Sequence, residues 1–334
     1  MDIEKWSLRV GTAALTFAVL VRLGSTGVFG TALQMLQSPE AVSVMLFLET
    51  GRVVHAITPQ PPELTQAESP EPTQPAEVTE AVALPVFAAE DASLVKVKNV
   101  CGLKADVAAM LQSPLSWQLQ DTQPTVLILH SHGSESYENK ENYKESGYYR
   151  TLDNRYNVVS VGDRVAELLE AGGISVLHDT TLHDYPSYNN AYSNSRTGVK
   201  EYLAKYPSIR LVLDLHRDAA RDDDGNQVAL TATVNGEKVA KLMLVVGTNV
   251  RLKHPNWPEN MSLAVKLHAL LEKKYPGLCR PISFRNQRFN QDLSPGALII
   301  EVGAAGNDRQ QALASAEMLA QAILELAQGT GTAS

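Results

Sequence analysis

The stretch TVLILHSHGSESY, Thr125 to Tyr137, is an apolar run that stops abruptly at two histidines, a glycine and an acid. Its first five residues, Thr125–Leu129, predict a short buried strand, and the rest predicts that the strand ends by presenting imidazoles and a carboxylate. Working outward, Val158–Ala171 has helical spacing and stops at Gly172-Gly173, Ser175–Leu177 resumes as a strand, Thr197–Tyr206 is a helix and Leu211–Leu215 a third strand. Strand, helix, strand, helix, strand predicts an α/β fold, a three-layer sandwich whose sheet is mostly parallel or mixed. Val228–Val234 and Lys241–Val246 read as two more strands, Glu259–Lys274 as an amphipathic helix, Ala297–Val302 as the last strand and Gln310–Ala327 as the last helix.

Two later runs share the grammar of the first. RLVLDLHRDA delivers His216, and GALIIEVGAAGN delivers Glu301, so three strand ends bring ionisable groups to the place where α/β sheets bind ligands. His132 precedes Gly133, where the backbone can turn sharply. Asp214 is positioned to orient His216 by accepting its proton. A carboxylate in the middle of ALIIEVG is functional or ion-paired, with Arg217 and Arg288 as the structural partners to check for Glu301. Two histidines and one acid form an incomplete zinc set; Glu135 is the nearest third ligand and Asp153 the alternative. The polar stretches HDYPSYNNAYSNSR, from His183, and RFNQDLSPGA, from Arg288, suit the walls of a glycan or peptide cleft, with Tyr188, Asn189, Asn190, Arg196 and Asn290 as candidate substrate contacts.

Composition limits the choices. With 44% apolar and 20% charged residues the 334-residue chain can bury a sizeable core. A net charge of -8 without a Lys/Arg-rich block argues against nucleic acid. Cys101 and Cys279 make no CxxC, which excludes a zinc knot and a disulfide scaffold and leaves open whether the two pair. Residues 1–56 carry the apolar run Val10–Val21 and the shorter Val42–Leu48, and are expected to be an N-terminal membrane anchor; a cleaved export signal is the alternative. Residues 57–93 are expected to be a disordered linker, because Pro59 to Asp91 holds seven prolines, seven acids and no Lys or Arg. The folded domain is expected over residues 94–330.

The strings HSHGSESY, YNVVSVGDRVAELLEAGG, HDYPSYNNAYSNSR, LDLHRDA, VVGTN, HPNWPEN and RFNQDLSPGALIIEVGAAGN, in order from Thr125 to Ala327, resemble the stage II sporulation protein P family, the peptidoglycan hydrolases of endospore formers. The resemblance implies a relation to zinc-dependent N-acetylmuramoyl-L-alanine amidases. It assigns zinc to His132 and His216 and the catalytic acid-base role to Glu301, and it leaves His130 as a neighbour of the site. The amidases' middle ligand is a Glu opening the first helix; here that helix opens near Arg155-Tyr156-Asn157 without an acid, so Glu135 takes the place. It further implies cleavage between muramic acid and L-alanine, with peptide cross-links as a second target, stage II sporulation proteins D and M as partners, and action outside the membrane at the septum. The competing class is a non-catalytic wall-binding module that positions a partner hydrolase.

Overall fold

The computed structural model describes residues 87–119, 121–146 and 149–328. Among the described residues nine strands and five α-helices follow in the order β1 Val97–Asn99, α1 Val107–Gln112, β2 Val126–Leu129, α2 Val158–Ala171, β3 Val176–His178, α3 Ala191–Lys205, β4 Leu211–Asp218, β5 Thr231–Val234, β6 Glu237–Ala240, β7 Leu242–Val246, α4 Trp257–Lys274, β8 Ile282–Phe284, β9 Gly296–Ala304 and α5 Arg309–Gln328. Seven strands form one sheet in the order β1-β8-β7-β9-β4-β2-β3. Every neighbouring pair is parallel except β7 with β9, so a block of three and a block of four run in opposite directions across that seam. The parallel β9-β4-β2-β3 block ends on one edge, and there the histidines and Glu301 emerge.

Strand β2 is buried at every residue, as a central parallel strand must be. Alternate side chains divide between two cores. Ile128 joins Val161, Val165, Leu319 and Ile323 of α2 and α5 on one face, whereas Leu127 and Leu129 join Val199 of α3 on the other. Helix α2 begins where the Asn157 side chain accepts from the Val159 amide. It stops before Gly173, whose φ of 87° is the left-handed turn that glycine takes without strain.

Three sequence expectations change in the structure. The run Val228–Val234 does not join the sheet: Thr231–Val234 pairs with Glu237–Ala240 as a separate hairpin. Its turn residues Asn235 and Gly236 have φ of 51° and 86°, the Asn-Gly signature of a tight hairpin. Helix α3 starts at Ala191, six residues before Thr197, because a narrow buried stripe of Ala191, Ser195 and Val199 suffices to seat an otherwise polar helix. Helix α4 is not amphipathic in use: residues 260–271 are all buried, Lys266 and His268 included. The cover over its outer side is the segment ahead of β2. Ser262 donates to the Met110 carbonyl at 2.8 Å and Lys266 Nζ to the Leu111 carbonyl, and burial pushes the Lys266 ammonium down to about 8.

That cover begins inside the stretch expected to be linker. Phe87 is buried in the main core, Asp91 Oδ2 accepts from Lys273 at 3.0 Å, and Ala89–Leu94 forms a 3-10 turn, so residues 87–93 belong to the fold. The anchor expected in residues 1–56 and the earlier part of the linker lie outside the described residues. Among the described residues no helix is long and apolar enough to cross a membrane. Cys101 and Cys279 are both free. Cys101 follows the Asn99–Phe284 pair and Cys279 precedes the Val97–Ile282 pair, which separates them along the strands by on the order of 20 Å, beyond disulfide reach.

Candidate active site

Strand alternation and a turn send the two histidines of the opening stretch apart. His130 faces α2: its Nδ1 meets the Leu215 carbonyl at 2.9 Å and its Nε2 meets His178 Nε2 at 2.8 Å, with His178 Nδ1 3.0 Å from Asp163. Burial and the neighbouring His178 bring His130 down to about 3, so it is neutral at ordinary pH. The turn at 131–134 then swings His132 to the α3 side, where its ring stacks on Tyr188 at 4.3 Å and lies 5.5 Å from the ring of His216. The buried Nδ1 of His132 has no hydrogen-bond partner, and Asp184 Oδ2 is 4.0 Å away. Burial and His216 lower the His132 pKa, which keeps an electron pair available on the ring.

Glu135 completes the cluster. Its Oε2 lies 3.5 Å from His216 Nδ1 and accepts from the Arg217 amide at 3.2 Å; its Oε1 lies 3.5 Å from Arg217 Nη1 and 3.9 Å from Arg150. Burial alone would raise this carboxyl, but Arg217 and His216 outweigh it and hold it at about 2, firmly ionised. His216 is oriented from behind: Nε2 bonds Asp214 Oδ1 at 2.8 Å, while Asp214 is itself fixed by the Ser131 amide at 2.7 Å and the Ser131 hydroxyl at 2.6 Å. Burial opposes the charge on His216, yet Asp214 and Glu135 raise its pKa well above the ordinary value.

Glu301 stands in register beside His216 on β4 and Met243 on β7. Its Oε2 is buried without a hydrogen-bond partner, and burial pushes the carboxyl up to about 8. Neither structural ion pair envisaged for it forms: Arg217 is held by Glu135, and Arg288 lies 3.4 Å from Asp292. A buried carboxyl poised near neutrality beside His216 is suited to moving protons.

The remaining candidates separate. Asp153 turns outward to Arg155 at 2.6 Å and takes no part in the cluster. Tyr188 is 49% exposed on the rim, with the Arg150 guanidinium 4.2 Å over its ring. Asn189 and Asn190 are exposed at the start of α3. Arg196 and Asn290 are engaged within the fold: Arg196 forks onto Asp292 at 2.8 and 2.7 Å, and Asn290 donates to the Tyr192 carbonyl at 2.8 Å, so the pair ties the segment before β9 to α3. Sequence reasoning missed Arg150 and Asp184, which bond each other at 3.4 Å. Asp184 is visible in the acidic HDYP string, whereas nothing in the local pattern marks Arg150. Arg217 was weighed only as a partner for Glu301.

The donors fit zinc in kind: two imidazoles and an ionised carboxylate, with one buried ring nitrogen unpartnered and the second histidine braced by a carboxylate. As placed, they pair with one another, and among the described residues no three His, Cys, Asp or Glu side chains form a closed metal-holding group.

The model of the family described as Stage II sporulation protein P (SpoIIP) matches residues 50–324. The chain belongs to the stage II sporulation protein P family. It is 32% identical to the family member of Bacillus subtilis (strain 168) over 212 residues, a match that takes in 60% of this chain and 50% of that protein, so the chain spans about half the length of its curated relative. Solved structures to which this family member is similar include an N-acetylmuramoyl-L-alanine amidase of Nostoc punctiforme, at 16% identity and a TM-score of 0.37, covering 62% of this chain and 97% of the other. Another is the amidase of Clostridioides difficile solved in complex with the GerS lipoprotein, at 12% identity and a TM-score of 0.36, covering 61% and 95%.

Proposed function

We propose that this domain is a zinc-dependent peptidoglycan hydrolase that cuts the amide between N-acetylmuramic acid and L-alanine during removal of septal wall in sporulation. The observation that carries the reading is the cluster about His216, with His132 5.5 Å away ring to ring, Glu135 3.5 Å from its Nδ1 and the unpartnered Glu301 carboxyl in register beside it. His132, His216 and Glu135 would hold the ion. Zinc bound there would supply a Lewis acid and a water of pKa near ~7. Glu301 takes a proton as water adds to the lactyl carbonyl carbon, and returns it to the departing L-alanine nitrogen as the C–N bond breaks, leaving a carboxylic acid and a free amine. Asp214, bonded to Ser131, keeps the His216 ring from rotating. Tyr188, half exposed at the rim with its ring against His132 and Arg150, offers its outer edge to a sugar.

Family membership supports the substrate and the setting. Cleavage of peptide cross-links, partnership with stage II sporulation proteins D and M, and attachment to the membrane through residues 1–56 extend the same proposal. The test is release of stem peptide from purified peptidoglycan by the full chain, with and without chelator, and by Glu301→Ala. Undiminished release in either case sinks the zinc amidase reading; retained wall binding without product and without zinc by elemental analysis favours the non-catalytic module.

A further inference from the structure

A cleft of about 420 Å³, whose lining includes His183 but none of His132, Glu135, His216 or Glu301, lies between the end of β3 and a polar face of α3. Its volume falls within the roughly 300–1,000 Å³ typical of small-molecule sites. Three features of its walls limit what it can hold.

Its buried acid is already paired. Asp179 Oδ2 is paired with His183 Nε2 at 3.0 Å, both residues being buried, and Asp179 also accepts from the Thr181 amide at 3.1 Å. Glu201 and Lys205, one helical turn apart, line the opposite wall together. These two bring one charge of each sign to that wall, so neither sign of ion is favoured there. The walls also alternate hydroxyl and amide groups with one aromatic side chain: Thr181, Thr197 and Asn194 beside Tyr202. Finally, the floor is Gly198, where a Cβ would stand 3.4 Å from His183 Cε1 and 3.5 Å from Asp179 Oδ2, so any larger side chain would grow into the space.

The geometry points to a neutral saccharide site, separate from the catalytic cluster, in which one pyranose lies against Tyr202 and its hydroxyl or acetamido groups bond Thr181, Thr197, Asn194 and Glu201. Pyranose rings have an apolar face and an equatorial belt of donors and acceptors, which matches an aromatic side chain bordered by short polar ones. That the ligand is a stretch of wall glycan alongside the cleaved peptide rests on the proposed function; that the cleft takes a saccharide does not.

The test titrates the full chain with N,N′,N″-triacetylchitotriose, read by calorimetry, alongside stem-peptide release from peptidoglycan. Wild type is expected to bind saturably. Gly198→Leu, which fills the cleft from a helical position where glycine is the poorer helix former, is expected to weaken binding by roughly tenfold or more with no loss of thermal stability. Should that variant fail to fold, Thr197→Ala with Glu201→Gln removes two bonding groups at exposed positions. No binding by wild type, or unchanged affinity in the folded variants, overturns the site. Binding retained while stem-peptide release is absent overturns the catalytic reading alone, and release retained without binding overturns the cleft alone.

Discussion

His130 and His132 are two residues apart and both buried, yet they do opposite work. On the α2 side, His130 has both ring nitrogens bonded and closes a chain through His178 to Asp163. On the α3 side, His132 has a buried nitrogen without a bond, and its neighbour His216 lies beside one glutamate held at about 2 and another pushed up to about 8. Satisfied polar groups hold a fold together, whereas unsatisfied ones are retained where a ligand or a proton completes them. The sheet thus separates a histidine with both ring nitrogens bonded from one with a buried nitrogen left free.

The comparison breaks most visibly in catalysis. Glu301→Gln is expected to lower stem-peptide release by about 10²–10⁴-fold, the usual worth of a general acid-base group, while the melting temperature holds or rises. His130→Ala is expected to do the reverse: it strands the Leu215 carbonyl and opens a cavity, which costs roughly 3 kcal/mol in denaturant unfolding, and the folded fraction still releases peptide. If His130→Ala abolishes turnover without destabilising the fold, the division between the two faces fails.

A smaller change probes the α2 side alone. A Cβ on Gly162 would stand 2.6 Å from the Nε2 atoms of both His130 and His178, so Gly162→Ala must push that pair apart; a loss of about 1–3 kcal/mol is expected.

The smallest effects sharpen the comparison through pH, measured on metal-stripped protein. His130 is depressed in the fold to about 3 from 6.5, so its contribution is present above 6.5 and is lost as pH falls toward 3. Glu301 is raised to about 8 from 4.5, so its contribution is present below 4.5 and is lost as pH rises toward 8. The acid slope of stability should flatten in His130→Ala and the alkaline slope in Glu301→Gln. Both slopes unchanged would mean that neither burial has the electrostatic consequence argued for it.

Much of the fold was legible in the chain. Helix α2 runs over Val158–Ala171 as its spacing predicts, and β2, β3, β7 and β9 lie within two residues of their apolar runs, whereas β4 runs three residues further than its run and β1 and β8 were not anticipated. The misses have physical causes. The Asn235-Gly236 turn closes a hairpin that consumes a run read as a sheet strand. The true extent of α3 is hidden because its buried stripe is only three residues wide. The surroundings of α4 cannot be read from its own periodicity, since the segment from Phe87 to Gln112 that covers it is distant in sequence.

The sequence by itself determined that three strand ends deliver His132, His216 and Glu301, because a strand's apolar run and its polar stop are local properties. It also suggested Glu135 as the acid nearest the first histidine. Only tertiary structure decided that His130 and His132 part to opposite faces, that Arg217 and His216 hold Glu135 ionised, that Arg196 and Asn290 brace the wall they were expected to offer to substrate, and that Glu301 goes unpaired. Those outcomes depend on which strands lie side by side and how deeply each group is buried, and both are set by long-range packing that no local pattern records.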